Sequence, residues 1–548
     1  MTDTSKLQPP RTDGFTAPLR YPTFRRIWLA SLLANLGILI QGVGAAWEMT
    51  QMTSFADQVA VVQTALMLPV MLIAIPAGAI ADMYDRRLVA LVALSIELCG
   101  ATALTVLDLL GLTTPDLLLA LCFAIGSGIA LMGPAWLCSV REQVPSEALP
   151  AAVALDGISY NIGRSAGPAL GGIIVANAGA VAAFAVSVLL YLPLMLALFS
   201  WKRIPGSSRL PPETFIRAIL SGVRYIVNSQ SIKIVLTRSM FNGVIGGAII
   251  ALMPLVARDL VNGGAQTYGV MLSAFGLGAV IGALNLNQIR KRMSGEAAIR
   301  ACALSMGGAV AAVSLSHQTV LTAAAVVLAG AAWMIASVLF SIGVQLMAPG
   351  WVAGRALAAY HAASSGGIAV GSWGWGHLAD AAGVNTALLV SAVLMFASPL
   401  LGLWMGMPRI GARSEEAEML EDPKVRLPLT GRCGPLVVQI EYRVAPENER
   451  AFRNVMQEVQ LSRQRNGAYA WSIARDIADP ELWTERYQCP TWFDYLRQRN
   501  RSTQLERALD REAAAFHIGR EAVRIRRMLE RPRKEQNQDR AANEALSK

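Results

Sequence analysis

Apolar runs of about twenty residues recur along this chain, and that recurrence limits its fold more than any other feature. A run of that length crosses the hydrocarbon of a bilayer as a helix. Inside hydrocarbon such a segment has to satisfy its own backbone hydrogen bonds. The runs lie at roughly 25–50, 57–81, 88–110, 116–138, 149–177 and 180–200. They resume at 231–257, 267–289, 299–316, 319–347, 354–378 and 384–407. Twelve spans in two sets of six, parted by a polar linker, predict an internally duplicated all-α membrane body. The charge distribution agrees. Only 16% of the 548 residues are charged, against about 25% in soluble domains. Residues 412–548 hold 25 of the 48 Lys and Arg and 22 of the 38 Asp and Glu.

The expected division is a cytoplasmic tail (1–24), a six-helix half (25–200), a cytoplasmic linker (201–230) and a second half (231–407). A linker (408–432), a cytoplasmic α+β domain (433–530) and a disordered tail (531–548) follow. Nineteen loop Lys and Arg fall on one side, from Lys6 through Arg86, Arg87 and the linker to Arg355, against Arg258 alone on the other. Basic residues collect on the cytoplasmic side, so both termini are expected there. The same rule accounts for the net charge of +10 without a nucleic-acid partner; the bilayer is the expected one. Met1 to Tyr21 lacks the pattern of a secretory signal, so the first span is expected to target the chain. The six cysteines are scattered, with no metal-ligand spacing. Neither a metal nor a cofactor is expected.

The oddest stretch is DGISYNIGRSAGPALGG, from Asp156 to Gly172. It carries Asp156, Asn161 and Arg164 in an apolar run, then Gly163, Gly167, Pro168, Gly171 and Gly172. Small residues let membrane helices approach closely, and Pro permits a bend. Asp156 and Arg164 are about two turns apart on a similar face, with Asn161 nearby. A mid-membrane charge costs at least about 2.5–3.5 kcal/mol and normally faces a cavity or a partner. Arg164 therefore fits either contact with an anionic substrate or a purely structural pairing between helices. Glu48 and Glu97 are the intramembrane carboxylates suited to gaining and losing a proton, and Arg238 marks a polar stripe in span seven. Span eleven repeats the glycine density of span five (Gly366, Gly367, Gly371, Gly374 and Gly376), as duplication requires.

The loop after span two reads Gly78 to Asp82, then Arg86 and Arg87. With twelve spans, this resembles the loop motif of the major facilitator superfamily, although Met83 and Asp85 depart from it. The resemblance implies that Asp82 meets a helix N-terminus of the facing half and that the arginines latch the inward gate. Gly163, Gly167, Pro168, Gly171 and Gly172 match the superfamily's fifth-helix motif, which is associated with exporters. FRRIWLASLLANLG, Val144 to Gly172 and the C-terminal domain together resemble a bacterial branch, the enterobactin-exporter-like group. That implies an inner-membrane, proton-coupled exporter of a small molecule such as a drug, siderophore or metabolite. The region before Gly126 lacks the Arg common in drug antiporters. An importer or facilitator of the same fold, or a tethered enzyme or sensor, is the alternative.

After Met407 the period changes. Pro435 to Val444, Ala468 to Ile477 and Leu482 to Gln488 alternate as strands. Pro446 to Asn466, Thr491 to Arg501 and Leu505 to Leu529 read as helices. The order suggests a ferredoxin-like domain, resembling the antibiotic-biosynthesis-monooxygenase fold. It contains no phosphate loop or nucleophile constellation, so regulation or dimerisation is expected in preference to catalysis.

Overall fold

The computed structural model describes residues 17–145, 148–202, 215–408, 423, 425–427, 429–430, 433–519 and 521–530. The expected disordered tail at 531–548, most of the linker at 408–432 and the side chains of Asp82 and Asn161 lie outside the described residues. Two compact units emerge. The first is Met1–Ile219, Ser231–Gln345 and Ala353–Ile410, and the second is Leu220–Gln230, Leu346–Val352 and Gly411–Lys548.

The first unit is helical. Its first half comprises α1 (Pro22–Met52), α2 (Ala56–Met83), α3 (Arg86–Leu109), α4 (Pro115–Gln143) and α5 (Leu149–Ser200). After the short α6 (Phe215–Val227) come α7 (Gln230–Leu255), α8 (Ala265–Arg292), α9 (Gly295–Leu315), α10 (Thr319–Met347), α11 (Gly350–Ala382), α12 (Val384–Ala397) and α13 (Leu401–Trp404). Ten helices among the described residues are long and apolar enough to cross a membrane. Two details reconcile ten with the expected twelve. Helix α5 is broken at Gly179, whose φ of 76° and ψ of 175° only glycine adopts readily, and its 52 residues supply two spans. Helix α11 has 33 residues, and its Ser, Gly and His content keeps its hydropathy low.

The second half has a buried ionic anchor. Arg238 on α7 is 5% exposed. It pairs with Glu296 at the start of α9 and donates to the Met405 carbonyl. Glu296 also accepts from Arg300 Nε at 3.0 Å and from the Met407 amide at 2.9 Å. The charge is matched inside the packing, as burial demands, so Arg238 here ties α7 to α9 and to the segment after α13.

The second unit contains a four-stranded antiparallel sheet in the order β2-β3-β1-β4: β1 (Leu436–Arg443), β2 (Tyr469–Arg475), β3 (Leu482–Cys489) and β4 (Arg524–Leu529). Helices α14 (Glu449–Arg465), α15 (Trp492–Asn500) and α16 (Gln504–Ala515) cover one face. This is the ferredoxin-like arrangement, with one correction. The expected long helix Leu505–Leu529 is α16 followed by β4. Val523, Ile525 and Leu529 alternate with Arg524, Arg526 and Met528, and this period of two pairs β4 with β1 from Leu436↔Leu529 to Glu441↔Arg524. The basic residues disguise a strand as a helix face.

Leu436, Val438, Ile440 and Tyr442 of β1 pack with Phe452, Met456, Val459, Trp483 and Tyr487 in the core. Glu485 lies within that core at 0% exposure. It accepts from Arg463 Nε at 3.1 Å, Trp471 Nε1 at 3.0 Å and Tyr442 Oη at 3.1 Å. Burial opposes the charge of Arg463, but Glu485 and Asp510 more than offset it and hold its pKa far above the usual range. In the same unit the Arg501 guanidinium lies 4.0 Å from the Trp351 ring centroid, and Trp351 meets Tyr225 edge-on at 5.4 Å. Removing one partner of a buried ion pair costs about 3–5 kcal/mol. Glu485→Ala should therefore lower hydrogen-exchange protection of β1 and β3 by at least a hundredfold, while protection in α7 and α9 stays unchanged.

Candidate functional site

A cavity of about 420 Å³ lies in the first unit between its two halves. Gln41, Gln63, Tyr160 and Arg164 line it from α1, α2 and α5, and Tyr268, Phe275, Ser337 and His361 face them from α8, α10 and α11. Val43, Met67, Ile250 and Ile368 supply apolar wall. Among the described lining residues Arg164 carries the one full formal charge, and no carboxylate is present. Its guanidinium lies 5.4 Å from the Phe275 ring centroid, a cation–π contact between the halves.

The glycine motif builds this site by making two different contacts. Gly163, Gly167 and Gly171 face α1: a Cβ on each would come within 3.0 Å of Asn35 Cβ, 2.8 Å of Leu39 Cβ and 3.1 Å of Val43 Cβ. These partners recur every fourth residue, so α1 lies along one seam of α5. Gly172 faces α8 in the other half, where a Cβ would lie 2.7 Å from Gly269 Cα. A Cβ on Gly269 would meet the Pro168 carbonyl oxygen at 2.7 Å, and one on Gly276 the Arg164 oxygen at 2.4 Å. The halves therefore touch backbone to backbone along α5 and α8, beside the residue that charges the cavity.

Helix α11 repeats the plan. Cβ atoms on Gly367 and Gly371 would meet the Met240 and Val244 oxygens of α7 at 2.3 Å and 2.4 Å, and one on Gly376 would meet Asp57 Cα of α2 at 2.7 Å. Each glycine-rich helix thus packs on the first helix of its own half and crosses to the second helix of the other, the relation expected of a repeat.

One end of the cavity is closed by polar contacts between the halves. Asp380 of α11 accepts from the Ala56 and Asp57 amides at 2.5 Å and 2.8 Å, satisfying the open N-terminus of α2 and placing negative charge on its dipole. Arg258 donates to the Thr50 carbonyl at the end of α1 at 3.1 Å. Trp47 stacks on Tyr268 with ring centroids 6.3 Å apart.

The other expected residues with described side chains lie elsewhere. Asp156 accepts from Trp136 Nε1 of α4 at 2.8 Å and is absent from the cavity wall, so it does not share a working face with Arg164. Eight residues separate them by about 12 Å along the helix and turn them toward different neighbours. Arg86 pairs with Glu142 of α4 at 2.7 Å, and Arg87 donates to the Leu198 and Phe199 carbonyls of α5. These contacts lie within the first half. Gly78 faces Ala358 of α11, 3.8 Å from a Cβ placed on it. Glu48 is half-buried and within electrostatic reach of Asp108. Glu97 is 1% exposed, and its Oε1 has no hydrogen-bond partner among the described residues. It is within electrostatic reach of buried Tyr191, whose hydroxyl donates to Gln41 Oε1 at 2.9 Å. Gln41 lines the cavity.

Sequence reasoning missed Asp380 as a cap, and it missed Tyr268, Phe275, Gln41 and Tyr191. The available signal was a carboxylate near the outer end of span eleven, a group suited to the open N-terminus of a neighbouring helix.

Two sets of helices around a charged central cavity define a membrane carrier. The model of the transmembrane secretion effector family matches residues 13–535, and the chain belongs to that family of major facilitator transporters. Among curated relatives, enterobactin exporter EntS of Salmonella typhi is 27% identical over 273 residues, which cover 49% of this chain and 64% of that protein. The match thus spans just under two thirds of that relative. Multidrug efflux pump Tap of Mycolicibacterium fortuitum is 24% identical over 393 residues, covering 69% of this chain and 93% of Tap. Two solved structures share the fold at 12% identity. A bacterial homologue of the human lysosomal transporter Spinster, inward-facing and unoccupied, has a TM-score of 0.56 over 71% of this chain and 96% of that one. A mutant of the nucleoside transporter NupG has a TM-score of 0.59 over 70% and 99%.

The closed end gives a direct expectation. A carboxylate at a helix N-terminus contributes about 0.3–1 kcal/mol, so Asp380→Asn should raise labelling of an Ala46→Cys reporter by a hydrophilic thiol reagent by up to about fivefold. Gly269→Leu, which inserts a side chain between α5 and α8, should raise it further. Gly308→Leu, with nothing within 4 Å of its Cβ position, should leave labelling unchanged.

Proposed function

We propose that this protein exports a small amphipathic molecule, anionic or with an anionic group, across the bacterial inner membrane by alternating access. The observation that carries the reading is the cavity between the halves, which holds Arg164 and, among the described lining residues, no carboxylate. A positive group at mid-membrane is retained where it faces a cavity, and aromatic walls accept an apolar body. The asymmetry of the loop charges supports a cytoplasmic location for both termini. The end closed by Asp380, Arg258 and Trp47 is then the outer one, and the cavity belongs to an inward-facing state. Export, rather than import, is supported by the glycine motif of α5 and by the exporters and efflux pumps among the relatives.

Proton antiport is the proposed coupling, with Glu97 as the exchanging group. An ionised carboxylate in the packed interior of the first half is costly, and proton uptake at Glu97 removes that cost. Tyr191 and Gln41 form the route to the cavity. Arg86, Arg87 and Asp82 are read as the inner gate, assembled in the outward-facing state. Asp156, Asn161, Glu48 and Arg238 are read as supporting positions. The C-terminal domain is read as a regulatory or dimerisation module, so transport rather than catalysis is the activity of the chain.

The test is substrate uptake into everted vesicles, where export appears as accumulation, under proton gradients of either sign. Arg164→Ala should reduce transport of anionic compounds at least tenfold with smaller effects on neutral ones, and Arg164→Lys should restore part of it. Glu97→Gln should abolish gradient-driven accumulation while leaving downhill exchange. Accumulation opposite in direction would replace export by import, and a gradient-insensitive rate would remove Glu97 as the coupling group.

A further inference from the structure

The C-terminal domain holds its own pocket, which the transport reading does not use. It measures about 200 Å³ and lies between the sheet and its covering helices. Its floor is Val438 and Ile440 of β1 with Ile525 of β4, and Tyr487 and Tyr495 add aromatic wall. Four arginines line it, Arg463, Arg499, Arg507 and Arg527, against one lining carboxylate, Asp510. Asp510 is already engaged, since Arg463 Nη2 reaches it at 2.8 Å and the Arg463 Nε bonds Glu485. Arg463 is thus neutralised by two carboxylates and held in place by the Tyr487 ring, 5.3 Å away. Arg527 of β4 donates through Nε to Tyr495 Oη at 2.6 Å, which holds its guanidinium against the aromatic wall. Arg499 stands half-buried on α15. Arg499 and Arg527 stand outside the Arg463–Glu485–Asp510 network and carry positive charge on the wall.

A second, independent feature lies in the same pocket. Asn466 is 6% exposed. Its Nδ2 donates to the Ser462 carbonyl and to Glu506 Oε2, both at 3.1 Å. Two acceptors fix that end of the amide as the NH₂ group, so a flip is excluded. Oδ1 is then an acceptor with no partner among the described residues, and a buried orphan of this kind costs about 1–3 kcal/mol. The site therefore presents guanidinium forks to an anion, apolar and aromatic surface to a body, and one unsatisfied acceptor to a donor.

We propose that this pocket binds a small carboxylate with an aromatic or short apolar body and a hydroxyl or amino donor, at a site separate from the transport cavity. Arg matches a carboxylate in bidentate geometry. The donor of the ligand satisfies Asn466 Oδ1, which side-chain movement at the wall must first uncover. The domain is then a ligand-responsive element attached to a carrier. This inference does not depend on the direction or the coupling of transport.

The experiment is isothermal titration of the full-length protein in detergent with 4-hydroxybenzoate. An Arg164→Ala background removes the cation of the transport cavity. Saturable binding with one site per chain is expected. Arg499→Gln or Arg527→Gln should weaken it at least tenfold, Arg499→Lys should recover part of the loss, and 4-hydroxybenzyl alcohol should bind at least tenfold more weakly. Hydrogen exchange at β1 confirms that each variant keeps its fold. Absence of saturable binding, or binding indifferent to both arginine substitutions, overturns the proposal. Inorganic phosphate that displaces 4-hydroxybenzoate at equal concentration overturns the carboxylate assignment.

Discussion

The membrane body depends on the approach of α5 to α8 with no side chain between their backbones. Van der Waals packing and small residues drive helix association in lipid, because apolar side chains gain nothing over lipid tails. Gly172, Gly269 and Gly276 bring the halves together where a larger residue would hold them apart. The contact is close and buries no charge. It therefore suits a joint that two states must make and break, since a bistable contact of modest strength shifts with a few kcal/mol of ligand binding. The Asp380 cap on α2 serves the same end. It joins the exposed Asp380 carboxylate to two helix N-terminal amides and leaves no buried ion behind when it opens.

Charge is treated differently in the two units. In the membrane body, Arg238 and Glu296 form a closed pair that fixes helices within one half, whereas Arg164 meets only an aromatic face among its described contacts. In the C-terminal domain, the buried Glu485 collects three donors and makes the core unique. A paired charge in these packings is structural, and an unmatched one lines a cavity. By that criterion Arg164 and Arg499, for which the described contacts supply no carboxylate partner, stand apart from the rest.

Much of this was legible in the sequence because the solvent dictates it. Twenty-residue apolar runs, the gap near Gly179 and the alternation of β1 and β3 are local patterns with one physical reading each. The glycine spacing of the fifth helix also marked a close crossing, although not that one face of it serves α1 and another α8. What stayed hidden depends on orientation and on partners distant in sequence. Asp156 and Arg164 look alike on a helical projection, yet one bonds Trp136 and the other faces the cavity. Arg238 reads as a polar stripe until Glu296, 58 residues on, is known to meet it. The β4 strand was masked by arginines at 524, 526 and 527, and its extended pairing shows only once β1 is beside it.

The central claim is that the α5–α8 crossing and the Asp380 cap close one end of a cavity that opens there during transport. Double electron–electron resonance between labels at Ser54 and Asn385, in protein whose other reactive cysteines are replaced, measures that opening directly. The account predicts a short-distance population, a longer one that grows with substrate or a reversed proton gradient, and a shift toward the longer one in Gly269→Leu. A single distance, unmoved by substrate, gradient or the Gly269 substitution, would contradict it.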